Sequence, residues 1–191
     1  ITKESAIYAR ERLVNLGVLP YMMSKVSVLA ILCLFQTIAL VGIFAIRIDL
    51  GGFGTDVYPS LLAAIFLTEL AGLAMGLLVS ASVANSDRAM AVVPVLLIPQ
   101  IIFAGALVPL EQMLAPARAV AQVMISKWSF QLTGSITDLT PRFSEQLPPD
   151  IGGPYASQFD TATWLPWVVL IAFTVAMLAA AVAIQKRKDI S

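Results

Sequence analysis

The side chains that could do chemistry are few in this chain. Its 191 residues include no histidine and a single cysteine, Cys33. Without histidine the commonest metal ligand and general base is missing. Cys33 lies inside an apolar run, can form no intrachain disulfide, and reads as ordinary packing. Asp56 ends the stretch GGFGTD at 51–56, which raises the idea of an intramembrane carboxylate that cleaves peptides. The order Gly52-Phe-Gly54-Thr-Asp56 falls between two apolar runs rather than inside one beside a second Asp, so a turn is the better reading. No Gly-x-x-x-x-Gly-Lys-[Ser/Thr] phosphate loop occurs, so this segment cannot hydrolyse ATP by itself.

Glu69 is the sharper signal, because it interrupts a long apolar run at 57–84. A carboxylate near mid-membrane costs about 2.5–3.5 kcal/mol on insertion scales, so it rarely faces lipid. At 100° per residue, Glu69, Gly72, Gly76 and Ser80 share one side of a helix. Gly72-Leu-Ala-Met-Gly76 is also a GxxxG pattern, on which another helix can approach closely. Glu69 is therefore expected at a helix–helix contact or on the rim of a polar cavity. As a packing residue it needs only hydrogen bonds; as a functional one it would handle cargo or protons.

The opening stretch ESAIYARERLVNLGVLPYMMSKV, residues 4–26, carries charge directly against an apolar run. Glu4, Tyr8, Glu11 and Asn15 fall on one helical stripe, with Arg12 flanking it, while Ile7 with Val14 and Ala6 with Leu13 occupy other sides. This is no membrane-surface helix with one apolar face; it reads as a helix with neighbours on several sides. The alternative is a solvated juxtamembrane helix. Gly17 and Pro20 are expected to end or bend it.

These residues need elements to position them, and the composition says which. The chain is 59% hydrophobic and only 13% charged, with mean hydropathy +0.86. A soluble domain is nearer half apolar and a quarter charged, so the expected class is an all-helical membrane protein. Its net charge is zero, which suggests no nucleic-acid partner. Four spans are expected: Val26–Ile46, Val57–Ala84, Ala89–Val108 and Trp164–Ile184. The first is uncharged for about 31 Å of helix, enough to cross the hydrocarbon. The third contains Pro94 and Pro99, which predict a kinked or partly broken helix. Residues 109–132 are too interrupted to span and read as short re-entrant or interfacial helices. Residues 133–163, rich in Pro, Gly and polar residues, read as an exposed loop.

Charge sets the orientation. Lys3, Arg10, Arg12, Lys25, Arg88, Lys186, Arg187 and Lys188 fall on one side. Only Arg47, Arg118, Lys127 and Arg142 fall on the other, so residues 1–25 and the tail 186–191 are expected in the cytoplasm. The lack of disulfides and of N-x-[Ser/Thr] acceptors suits a bacterial inner membrane.

At this level of detail the order of elements resembles a known family. RERLVNLGVLPYMMSKV before a span is similar to the cytoplasmic coupling segment that precedes the third helix of ABC type-2 permeases, the G-subfamily-like membrane domains. GLLVSASVANSDRAMAVVPVLLIPQIIFAGALVPLEQM resembles that family's fourth helix, inner turn and fifth helix. Phe103-x-Gly105-x-x-x-Pro109 matches its habit of ending the fifth helix before a Pro-led re-entrant element. SKWSFQLTGSI stands where the following segment would be, without the Pro often found there. The resemblance implies the last four helices of a six-helix unit, with the first two expected before Ile1. It further implies an ATP-driven exporter acting as a homodimer or with a closely related half-transporter. ATP and Mg would be held by a fused or separate ATPase domain.

The resemblance assigns coupling to Glu4, Tyr8, Glu11, Arg12 and Asn15. Helix packing or the transport path is expected of Glu69, Gly72, Gly76, Pro94, Pro99, Gln100, Phe103 and Gly105. The Ala-rich composition is similar to that of actinobacterial exporters that fuse forkhead-associated domains to the ATPase, for which the implied cargo is a cell-envelope glycolipid in contact with membrane lipid. A channel or secondary transporter, or a non-transporting scaffold, remains the alternative.

Overall fold

The computed structural model describes residues 17–47, 57–83 and 85–188. Among these residues the fold is eight α-helices and two 3-10 turns. Helix α1 runs Val18–Arg47 and α2 runs Val57–Ser82. Helix α3 runs Ser86–Ile102. After a 3-10 turn at Leu110–Gln112 come α4 at Ala115–Ala121 and α5 at Ile125–Ile136. Helices α6, Leu139–Gln146, and α7, Pro149–Ala156, lead through a second 3-10 turn to α8, Trp164–Lys188.

Three of these helices, α1, α2 and α8, are long and apolar enough to cross a membrane. In hydrocarbon every backbone N–H and C=O needs an internal partner, and a helix supplies all of them locally. Val28, Ile31, Phe35, Ile38 and Ile43 of α1 are exposed, a surface suited to lipid or other apolar helices rather than water. The third expected span, 89–108, is a shorter helix. α3 has 17 residues, about 26 Å against the roughly 30 Å of hydrocarbon. It continues through Pro94 and Pro99 and stops at Ile102, where Phe103 N–H closes onto Pro99 O at 2.9 Å. At its start Asn85 caps it, accepting the Arg88 N–H at 3.0 Å, with Asp87 in the first turn, where a negative charge suits the helix dipole.

Helix α2 is the centre of the bundle. It packs most extensively on α8, then on α1 and α5. Ala64, Ala71, Ala74 and Ala81 are fully buried on it. Ala64 and Ala71 meet Leu170 of α8 together with Ile125, Trp128 and Leu132 of α5. Ala81 meets Ala181 of α8 and Tyr21 and Met22 of α1 at the other end. Small side chains let the helix backbones approach, and packing then supplies the cohesion that water expulsion cannot supply in lipid.

Residues 133–163, expected as an exposed loop, form helices that fold back as a cap. Phe143 stacks on Tyr155 at 5.4 Å and on Phe159 at 6.0 Å, and Phe130 meets Phe159 at 5.3 Å. Such ring pairs stabilise beyond their buried area, and here they override poor helix formers. A Cβ on Gly134 would overlap the Phe159 ring, so α5 needs glycine where the cap closes on it.

Candidate functional site

Glu69 lies midway along α2, where α1 crosses it. Thr37, completely buried on α1, donates its hydroxyl to Glu69 Oε2 at 2.8 Å. Helix contact and cavity rim coincide here. Glu69 is half-buried and lines a groove of about 510 Å³ with Cys33, Gln36, Leu73 and Gly76. A hydroxyl donor meets part of the carboxyl group's need for partners, which stabilises it at this depth.

The glycines of the GxxxG pattern do not form the close contact expected of them inside this chain. A Cβ on Gly72 or Gly76 would meet nothing within 4 Å. The close approach is made by the alanines that face α8. Gly72 and Gly76 instead widen a cleft of about 230 Å³ between α2 and α3, with Ser80 on their side and Val93 and Leu97 opposite. A second groove, about 520 Å³, opens on another side of α2 between Met75, Val79, Pro99, Gln100, Met124 and Met177. Both volumes approach or fall within the range of apolar ligand sites.

Helix α3 is the most weakly held of the long elements. Met90, Val95, Ile98 and Ile101 are exposed, and α3 touches α2 and α5 only lightly. Gln100 supplies its main attachment. Its side-chain Oε1 accepts the Ser126 N–H at 2.9 Å, and its main-chain carbonyl accepts the Ser126 hydroxyl. Its Nε2 also reaches Met75 Sδ at 3.9 Å. Ser126 is in the first turn of α5 and Gln100 in the last turn of α3, so each satisfies a backbone group that a helix end leaves without an internal partner. The proline-bearing helix is thereby tied end to end with the cap.

Phe103 and Gly105 continue that junction. Phe103 packs against Leu110, Met113 and Ala121. Gly105 is buried with φ +86°, and a Cβ there would overlap Gln158 Oε1. Gln158 accepts the Leu110 N–H at 3.4 Å through that oxygen, and its main-chain carbonyl accepts from Gln131 Nε2 at 2.9 Å. Only glycine combines this backbone with this approach. Arg118 holds the next turn, donating to the carbonyls of Leu110, Glu111 and Met113 at 3.0–3.3 Å. Tyr155 hydroxyl donates to the Ala106 and Leu107 carbonyls at 3.2 and 3.1 Å.

A buried lysine lies under the cap. Lys127 is 4% exposed, its Nζ 3.1 Å from the centroid of the Trp128 indole. It donates to Gln122 Oε1 at 3.0 Å while Trp128 Nε1 donates to Gln122 O at 2.8 Å. Burial pushes the Lys127 ammonium down to about 8. Thr68 of α2 meets Ser129 at 2.9 Å, fixing α5 to the bundle.

Pro94 and Pro99 are on α3, so the structure brings Gly72, Gly76, Pro99 and Gln100 to the two clefts around α2. It places Phe103 and Gly105 in the cap junction and Glu69 in the groove towards α1. Glu4, Tyr8, Glu11, Arg12 and Asn15 lie outside the described residues. Sequence reasoning passed over Thr37, Arg118, Ser126, Lys127 and Gln158. Thr37 and Lys127 carried a signal, a polar or charged side chain in an apolar stretch. The others could be found only through partners distant in sequence.

These features define a multi-pass helical membrane domain, with clefts between its helices and a folded cap at one end. The family model for the ABC-2 type transporter matches residues 1–136. The chain belongs to the ABC-2 type transporter family and is the permease part of an ABC transporter, not a catalyst itself. None of the curated proteins matches this chain.

Proposed function

We propose that this permease moves an amphiphilic or lipid-linked cargo out of the cytoplasmic leaflet by alternating access, driven by an ABC ATPase that holds ATP and Mg. The observation that carries this is the weakly packed, proline-bearing α3 beside a cleft widened by Gly72 and Gly76. A helix with two missing backbone donors and few neighbours can change its angle at low cost. Its tie to α5 through Gln100 would carry that movement to the cap. In this reading residues 4–16 receive motion from the ATPase, the α2–α3 cleft opens and closes, and the cap covers the exit.

The working unit is a dimer, in which the exposed side of α3 meets a second copy or a close relative. Lys25, Arg88, Lys186 and Arg187 all fall at the same end of the bundle by helix order. This supports a cytoplasmic location for that end and a bacterial inner membrane as the setting. The actinobacterial, forkhead-associated-domain resemblance and a glycolipid cargo are consistent with the apolar walls of these clefts.

The test is transport by the protein reconstituted with its ATPase in vesicles carrying a fluorescent phosphatidylglycerol, scored by dithionite protection. ATP should move label between leaflets, and Glu11→Lys or Arg12→Glu should abolish that movement while leaving protein in the membrane. ATP hydrolysis with no lipid movement would refute the amphiphile cargo. Unchanged transport in both reversals would refute the coupling role.

A further inference from the structure

We propose that a groove between α1, α2 and the cap is a binding site for one anionic phospholipid, held as a resident lipid and separate from the α2–α3 cleft. The groove has a volume of about 420 Å³, inside the range of sites that bury small ligands. Its walls are Leu40 and Phe44 near the C-terminal end of α1 and Leu61 and Ile65 near the start of α2. From Val57 at the helix start to Ile65 is about 12 Å along the axis, so the groove runs from headgroup level into the acyl region. Arg142 of α6 lines it at the cap side.

The polar groups decide which lipid. Thr133 and Thr137 also line the groove, but their hydroxyl hydrogens are directed to helix carbonyls. Thr133 donates to Ser129 O at 2.9 Å or Phe130 O at 3.2 Å, and Thr137 donates to Thr133 O at 2.8 Å. They can therefore accept from a ligand but not donate to it. Donation falls to Arg142, whose guanidinium carries five N–H groups and can bind a phosphate alongside another acceptor. A cation over an apolar slot, with acceptors beside it, fits a phosphodiester with a hydroxyl-bearing headgroup and an acyl chain below. Phosphatidylglycerol has that chemistry. A zwitterionic lipid places a second cation near Arg142 and fits less well.

The experiment uses the full-length protein purified from detergent containing equal amounts of phosphatidylglycerol and phosphatidylcholine, with co-purified lipid counted by native mass spectrometry and no ATP present. Wild type should retain phosphatidylglycerol in preference. Arg142→Gln should weaken that preference about tenfold, the scale of one charge-assisted hydrogen bond, and Arg142→Lys should keep most of it. Leu61→Trp, which fills the groove, should lower retention of both lipids. Inorganic phosphate should not displace the lipid. The proposal is overturned if wild type shows no preference, as when another protein segment fills the groove. It is also overturned if Arg142→Gln or Leu61→Trp leaves retention unchanged, or if free phosphate competes. Because the readout needs no transport, loss of the exporter reading would leave this result standing.

Discussion

Replacing Gly105 by alanine tests whether the junction between α3 and the cap is built as described. Two costs add. At φ +86° a residue with a Cβ is strained by roughly 1–2 kcal/mol. The new Cβ also overlaps Gln158 Oε1, so the amide must move and the buried Leu110 N–H loses its partner, an effect of about 1–3 kcal/mol. Because that bond is long, 3.4 Å, the lower part of the range applies, and the total is roughly 2–4 kcal/mol. By the scaling for chains of this size that is on the order of 10 °C in Tm.

Gly153→Ala is the matched control. It lies in α7, a Cβ there meets nothing within 4 Å, and alanine is the better helix former by roughly 0.5–1 kcal/mol, so Tm should hold or rise. A third variant separates the two costs. In Gly105→Ala/Gln158→Ala the overlap is gone and only backbone strain and the lost Leu110–Gln158 bond remain, so the two changes should be less than additive. The assay is thermal unfolding of the purified protein in one detergent, with membrane abundance as a second readout. Equal Tm for Gly105→Ala and Gly153→Ala would refute the reasoning, and strict additivity would refute the steric part of it.

Three further outcomes are expected. Glu69→Gln keeps an acceptor for Thr37 and should retain most stability and transport, whereas Thr37→Val removes a bond to a carboxyl group and should cost about 1.5–3 kcal/mol; loss of transport in Glu69→Gln at normal abundance would instead mark the charge as functional. Lys127 is lowered by burial from 10.5 to about 8, so between those values the unfolded chain binds more protons and stability should rise with pH. At 1.36 kcal/mol per pH unit the full effect is a few kcal/mol, and Lys127→Met should abolish it in unfolding curves across that window. Single cysteines in a Cys33→Ala background should label from outside at Ser144 and Ser157 and only after permeabilisation at Ser5 and Ser191, and the reverse pattern would invert the proposed orientation.

The long helices were legible because an apolar run of twenty or more residues has few alternatives to a helix in lipid. The cap was not, and its sequence shows why. Proline and glycine between 141 and 154 argue for a loop, yet Pro149 occupies the first turn of α7, where proline is favoured. The aromatic contacts that hold the cap join Phe130, Phe143, Tyr155 and Phe159, so no local window contains their energy. The GxxxG pattern marks the cleft side of α2 rather than the side that packs within this chain. Ala64, Ala71, Ala74 and Ala81 make the stripe that packs, and alanine is so common here that it carried little contrast. Of the site, Glu69 and Gly105 stood out as a charge and a punctuation mark. Their partners Thr37 and Gln158 stood 32 and 53 residues away. Gln100 was picked out from the family resemblance, but its tie to Ser126 depends on a fold-back that no periodicity records.

The most direct test of ATP-driven movement at the α2–α3 cleft is a distance across it. Spin labels at Gly76→Cys and Val93→Cys, in the Cys33→Ala background of the full-length protein with its ATPase, report that distance by pulsed electron resonance. Both sites line the cleft, and a label on Gly76 meets no neighbour at its Cβ within 4 Å. Trapping the ATPase with ATP and vanadate should shift the distance distribution relative to the nucleotide-free protein, and Glu11→Lys should suppress that shift. An unchanged distribution in a preparation that hydrolyses ATP would contradict movement of α3 against α2 as the transport step.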